Sequence, residues 1–265
     1  MSVGGVPDLT RLPPVVARRR AGVRSHADLL STPIIVLLGG AAVALWVSTR
    51  KLDDIETRAL QPSAILSDLG QHLILTAYST FFVIVIAVPL GILLSRQGAR
   101  RIRNVVLAVS GFAQALPPYG VLVLIAFAPA PFGFNPFSVI AGLVAAALLP
   151  VLRNTVVGLR QVDPALIEAA RGMGMSARAT LFRVELPLAV PVMMAGIRVA
   201  LVLNVGTAVL ATFVGGGGLG SLIVRAQTLN RPIVLVTAGA IVAALALMVD
   251  WLAGVAERLV RARTS

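Results

Sequence analysis

The sequence predicts an all-α membrane protein with about six transmembrane helices. Its residues are 57% hydrophobic with a mean hydropathy of +0.92, whereas ordinary soluble domains hold roughly 45–50% apolar residues even with glycine counted. The apolar residues gather into runs long enough to cross a bilayer core of about 30 Å, which takes roughly 20 helical residues. The charged residues, 13% of the chain, fall mainly between those runs.

Six runs qualify, at 31–49, 69–94, 104–128, 137–158, 188–213 and 232–257. The first holds Gly39 and Gly40 at its centre and follows Arg18, Arg19 and Arg20, in the manner of a secretory leader. It continues through Leu45, Trp46 and Val47, so an uncleaved anchor is expected. Residues 1–30, rich in Pro, Gly and Arg, are expected to form a disordered tail. The first anchor and an external loop then fill 31–64, the main transmembrane domain 65–258, and a short tail 259–265.

Lysine and arginine placement sets the orientation. The N-terminal tail, the 96–103 and 153–183 connections and the C-terminal end together carry seventeen basic residues, all arginine. The opposite side receives Arg50, Lys51, Arg58, Arg225 and Arg231. Both termini are therefore expected in the cytoplasm. The net charge of +12 does not indicate nucleic-acid binding, because the basic residues sit at the ends of apolar runs rather than on a water-exposed face. Without cysteine there is no thiolate site, and His26 and His72 are too isolated for a metal site. No nucleophile–base pair suggests an enzyme.

Pro89, Pro117, Pro118 and Pro150 interrupt the spans. Broken backbone is tolerated at membrane depth where it packs on protein or lines a cavity. The sharpest break, ALPPYG at 115–120, fits either a packing kink or a bend in a pathway.

One polar insert stands out: DPALIEAARGMGMSARATLFRVELP, residues 163–187. Asp163 and Pro164 form a helix start, with Leu166, Ile167 and Ala170 on one face. A short helix is expected to run to Arg171, Gly172 and Gly174 to break it, Ser176 to cap a second helix, and Pro187 to turn the chain toward the membrane.

EAARGMG, then nine residues, then VELP resembles the EAA motif of ABC importer permeases. Glu168, Ala169, Ala170, Gly174, Leu186 and Pro187 match it directly, and Val184 stands for Ile. The resemblance extends over about 65–255. LLPVLRNTVVGLRQVDP, VELPLAVPVMMAGIR and GGGGLG are similar to permeases for glycine betaine, choline, carnitine or proline. It implies a type I importer permease fold in a bacterial cytoplasmic membrane. It also implies that the insert couples to a separate ATP-binding subunit through Asp163, Glu168, Ala169, Ala170, Arg171, Gly172, Gly174, Leu186 and Pro187. The implied partners are that ATPase, which would hold ATP and Mg²⁺, an extracytoplasmic substrate-binding protein, and a second permease copy or paralogue. This chain itself would carry no cofactor.

GGGGLG at 215–220 lacks the following Gly-Lys-Ser/Thr of a phosphate-binding loop, and the single lysine, Lys51, has no glycine loop around it. It reads instead as a flexible or tightly packed outer turn, and the resemblance places Gly217, Gly218 and Gly220 near an outer gate. Pro117, Pro118, Arg198, Asn204 and Thr207 are candidate pathway groups, with interhelical hydrogen bonding an equal reading for the last two. Arg198 lies about 16 Å along its span from Pro187, and Asp250 about 12 Å up its own from Arg258. Similar depths suggest an ion pair, since intramembrane charges are costly and usually partnered. A quaternary ammonium solute would want an aromatic cage, and Trp46, Trp251, Tyr78 and Tyr119 are not clustered in sequence. An importer for another small solute such as an amino acid, or a stand-alone channel or secondary transporter, are the alternative readings.

Overall fold

The computed structural model describes residues 26–264, which form helices joined by turns and short connections. In chain order these are α1 (His26–Ser48), α2 (Asp54–Ala59), α3 (Pro62–Ser95), α4 (Arg100–Ala115), α5 (Pro118–Ala126) and α6 (Pro136–Arg160). They continue with α7 (Pro164–Gly172), α8 (Ala177–Thr180), α9 (Leu186–Ala208), α10 (Leu219–Thr228) and α11 (Pro232–Thr264). Several helices open on proline, whose missing N–H falls where a helix start has no acceptor for it and whose φ is already helical.

Five helical segments are long and apolar enough to cross a membrane, and α4 with α5 makes a sixth only as a pair bent by 100°. The break expected at ALPPYG within the 104–128 run falls at this bend. Leu116, held extended (φ −69°, ψ 143°) ahead of Pro117, ends α4, and Pro118 restarts the helix.

The other boundaries shift for identifiable reasons. The predicted tail at 1–30 lies outside the described residues as far as residue 25, and His26 onward already belongs to α1. At the C-terminal end α11 continues through Thr264, since the Arg, Leu and Ala residues there are good helix formers. Pro187 does not turn the chain. Helix runs from Ala177 to Ala208, and a π turn at Leu181–Glu185, in which the Leu186 N–H donates to Leu181 O, takes up the donor and space that proline removes.

The core is the α3–α6–α9 seam. Val83, Ala87, Val151, Leu152 and Ala200 are fully buried there, and 39% of the α6 span is buried against none of α1. Lipid tails are as apolar as leucine, so the helices associate by close packing through small residues. A Cβ on Gly196 of α9 would lie 2.7 Å from the Pro150 carbonyl oxygen of α6, and one on Gly158 of α6 3.0 Å from the Ala189 carbonyl oxygen. Gly91 of α3 similarly admits the Thr155 side chain.

Replacing Gly196 with Leu is expected to cost about 1–3 kcal/mol by overpacking this seam. Gly206 on the same helix faces open space, so Gly206→Leu should change thermal unfolding of the purified protein little. Equal unfolding temperatures for the two variants would contradict the assignment of this seam as the tight contact.

Candidate coupling site

The polar insert hangs between the two most intimately packed helices, α6 and α9. Asp163 opens α7 by accepting the Ala165 N–H at 2.9 Å. Its far end closes in a Schellman motif, with Met175 N–H on Ala170 O at 3.1 Å and Gly174 N–H on Arg171 O at 2.9 Å. Gly174 holds φ +84°, which L side chains rarely adopt, and a Cβ there would meet nothing. Its role within the chain is therefore conformational. Gly172 does not break the helix as expected; it is the last residue of α7.

Burial sorts the faces of this hairpin. Ala170 is buried, while Asp163, Glu168, Ala169, Arg171 and Gly172 are exposed. Leu166, Met173 and Phe182 are also exposed. The expected apolar face divides accordingly: Ala170 turns inward and Leu166 outward. Ser176 caps α8 through Ala179 N–H at 3.3 Å. Leu186 and Pro187 lie in the first turn of α9.

Beneath the hairpin lies a contact that sequence reasoning missed. Glu185, in the π turn, is buried with its side chain 4% exposed, and Arg96 after α3 donates from Nη1 to both of its carboxylate oxygens at 2.9 and 3.2 Å. This ties the insert to the α3–α4 corner. The one signal for it is an acidic residue inside VELP, between two otherwise apolar stretches. Arg103 of α4 reinforces the corner by donating to Leu94 O at 3.3 Å.

The deeper charges also meet. Arg198 donates Nε to Asp250 Oδ1 at 2.6 Å and Nη2 to Oδ2 at 2.7 Å, the bidentate geometry that a planar guanidinium favours. Glu257, two turns on, approaches Arg198 Nη1 at 3.6 Å, a second carboxylate that the sequence reading did not include. Gly254 makes room for the guanidinium, since a Cβ there would lie 3.1 Å from Nη1.

At the far end of the bundle the candidate pathway and gate residues separate into distinct groups. Asn204 of α9 is buried and donates to Thr80 Oγ1 of α3 at 3.0 Å, an interhelical hydrogen bond; Thr207 is buried one turn on. The glycine run is closely packed. Gly218 N–H donates to Gln71 Oε1 at 3.1 Å, a Cβ on it would lie 3.2 Å from His72, and Gly220 abuts the Val209 backbone. His72, fully buried, donates Nε2 to Val205 O at 3.0 Å near the end of α9. Pro117 and Pro118 stand at the α4–α5 bend, and Tyr119 there meets Phe213 edge-on with ring centroids 5.2 Å apart.

Residues 87–262 match the binding-protein-dependent transport system inner membrane component family. The chain belongs to this family. The permease is 39% identical over 225 residues to the osmoprotectant import permease protein OsmY of Salmonella typhimurium, covering 84% of this chain and 91% of that protein. It is 37% identical over 197 residues to the carnitine transport permease protein OpuCD of Listeria monocytogenes, with 74% and 86% covered. The glycine betaine/carnitine/choline transport system permease protein OpuCD of Bacillus subtilis is 37% identical over 195 residues, with 73% and 83% covered. Among solved structures, an inward-facing methionine ABC transporter, MetNI, superposes with a TM-score of 0.66 at 23% identity, with 74% of this chain and 95% of that chain covered. That likeness carries the type I permease fold.

Two sets of substitutions check this geometry. Arg96→Ala is expected to destabilise by about 1–3 kcal/mol by stranding a buried carboxylate, less than a fully buried pair would lose because Arg96 is 43% exposed. Adding Glu185→Ala should recover part of that loss in a double-mutant cycle, and strict additivity would deny the pair. Arg198→Asp and Asp250→Arg should each lower thermal stability and the combination restore most of it. Rescue should become complete only with Glu257→Gln, because the swap sets Asp beside Glu257.

Proposed function

We propose that this permease forms about half of the translocation pathway of an ATP-driven importer for a small compatible solute of the glycine betaine, choline, carnitine or proline type. The substrate class rests on its relatives: proteins named for carnitine, glycine betaine, choline and osmoprotectant transport are 37–39% identical across most of their lengths.

The coupling role rests on one observation, the exposed and conformationally fixed α7 hairpin carrying the EAA pattern. It presents Glu168, Arg171, Leu166 and Met173 outward, a mixed apolar and charged surface for a partner chain. Closure of two ATP-binding subunits would move the two hairpins of a permease pair as rigid bodies and switch the pathway between its two openings. The arginine distribution supports placing this end, and both termini, in the cytoplasm. A binding protein would deliver solute at the opposite end, where the clasped glycine run and the α4–α5 bend supply candidate gate and pathway elements. ATP hydrolysis would belong to the partner, with ATP and Mg²⁺ held there.

The test is to isolate the tagged chain gently from its native membrane and identify its companions by mass spectrometry. A Walker-motif ATPase should co-purify and be lost on combining Glu168→Arg with Gly174→Val. Gly174→Val alone imposes about 1–2 kcal/mol of left-handed strain on the hairpin turn, so solute uptake should fall sharply while membrane insertion stays normal. Unaltered uptake by that variant would contradict the coupling role.

A further inference from the structure

Two glycines at the centre of α1 are not explained by close packing. Glycine is the poorest helix former after proline, and in membranes it usually lets helix backbones approach closely. Yet a Cβ on Gly39 or Gly40 would meet no atom within 4 Å. Both line an open groove of about 610 Å³ between α1 and α11, together with Val43 and Ala44 on one wall and Ala240 and Ala244 on the other. Leu60 and Ile65 border it at the Ser48 end.

The groove spans Ile35 to Ser48, about 20 Å of helix. An extended acyl chain is narrow enough, and the groove outruns the roughly 15 Å hydrocarbon depth of one leaflet.

The other end of the same seam is polar. One turn before Ile35 and Val36, Ser31 and Thr32 border a cavity of about 380 Å³ shared with Arg198, Asp250, Trp251, Gly254 and Arg258. Asp250 and Glu257 both face Arg198. Arg258 makes no hydrogen bond or ion pair among the described residues, and neither does the Thr32 hydroxyl. An unpaired guanidinium and a hydroxyl at the mouth of a hydrocarbon groove, at an arginine-rich end of the bundle, complement a phosphate.

We propose that the α1–α11 seam is a phospholipid site, with one acyl chain in the groove and the phosphate held by Arg258 and Thr32. The lipid would complete the packing of α1, whose span has no buried residue of its own. The site is remote in sequence from the α7 hairpin and independent of which solute is carried.

The test uses the permease complex in nanodiscs containing a phospholipid with a diazirine in one acyl chain, and a matching diacylglycerol without phosphate. Phospholipid label should concentrate on peptides spanning 35–48 and 240–247. Gly39→Leu with Gly40→Leu should abolish that concentration for both probes. Arg258→Gln should lower phospholipid labelling and leave diacylglycerol labelling unchanged. Co-purification of the same partner chains verifies that each variant is assembled, and Ala244→Leu fills the groove from the opposite wall should the glycine variant fail to assemble. Label spread evenly over α1, α3 and α11, or no response to filling the groove, would overturn the site. An unchanged response in Arg258→Gln would overturn the phosphate contact. Disulfide capture of a second polypeptide by Gly40→Cys, in this cysteine-free chain, would replace the lipid with a protein.

Discussion

The placement of the EAA hairpin depends on the close approach of α6 and α9. At Gly158 and Gly196 the two helices come so near that a single methyl group would collide with a main-chain carbonyl. No aqueous hydrophobic effect presses helices together inside a bilayer, so contact distance itself supplies the association energy. The α7–α8 hairpin is the connection between these two helices. Holding its two stems at fixed separation makes it a rigid projection rather than a loose loop.

Rigidity continues into the stem. The π turn at Leu181–Glu185 lets helix run on past Pro187, so the second arm of the hairpin and α9 form one unbroken helix from Ala177 to Ala208. Arg96 on Glu185 adds a lateral tie to α3. At the other end of α9, Asn204 meets Thr80 and His72 caps Val205 O, and the glycine run folds back onto Gln71 and His72. One continuous helix, Ala177–Ala208, thus runs from the second arm of the hairpin to the closely packed turn at the opposite end of the bundle.

Much of this architecture is legible in the sequence, for physical reasons. Span length is set by bilayer thickness, so apolar runs locate the helices. Proline removes a donor and restricts the residue before it, so ALPPYG marks a break even though the run looks like one span. Equal depth along two helices made Arg198 and Asp250 natural partners to consider. The faces of the spans are a different matter. Core and lipid are equally apolar, so the sequence carries little signal of which side of α3 or α9 turns inward. The Arg96–Glu185 contact depends on that rotation across 89 residues, as does the approach of Glu257 to Arg198. The continuation past Pro187 is hidden for another reason: a π turn has no compositional signature, and proline after a polar segment more often marks a stop.

The most direct test of the account exploits the absence of cysteine. A single Ala169→Cys places one thiol on the exposed face of α7, and a short bifunctional cross-linker is applied to native membranes. The account predicts capture of an ATP-binding chain with Walker motifs, at a yield that changes when nucleotide is added. Free reaction of that thiol with a membrane-impermeant maleimide from the outside of intact cells, with no ATPase captured, would contradict it.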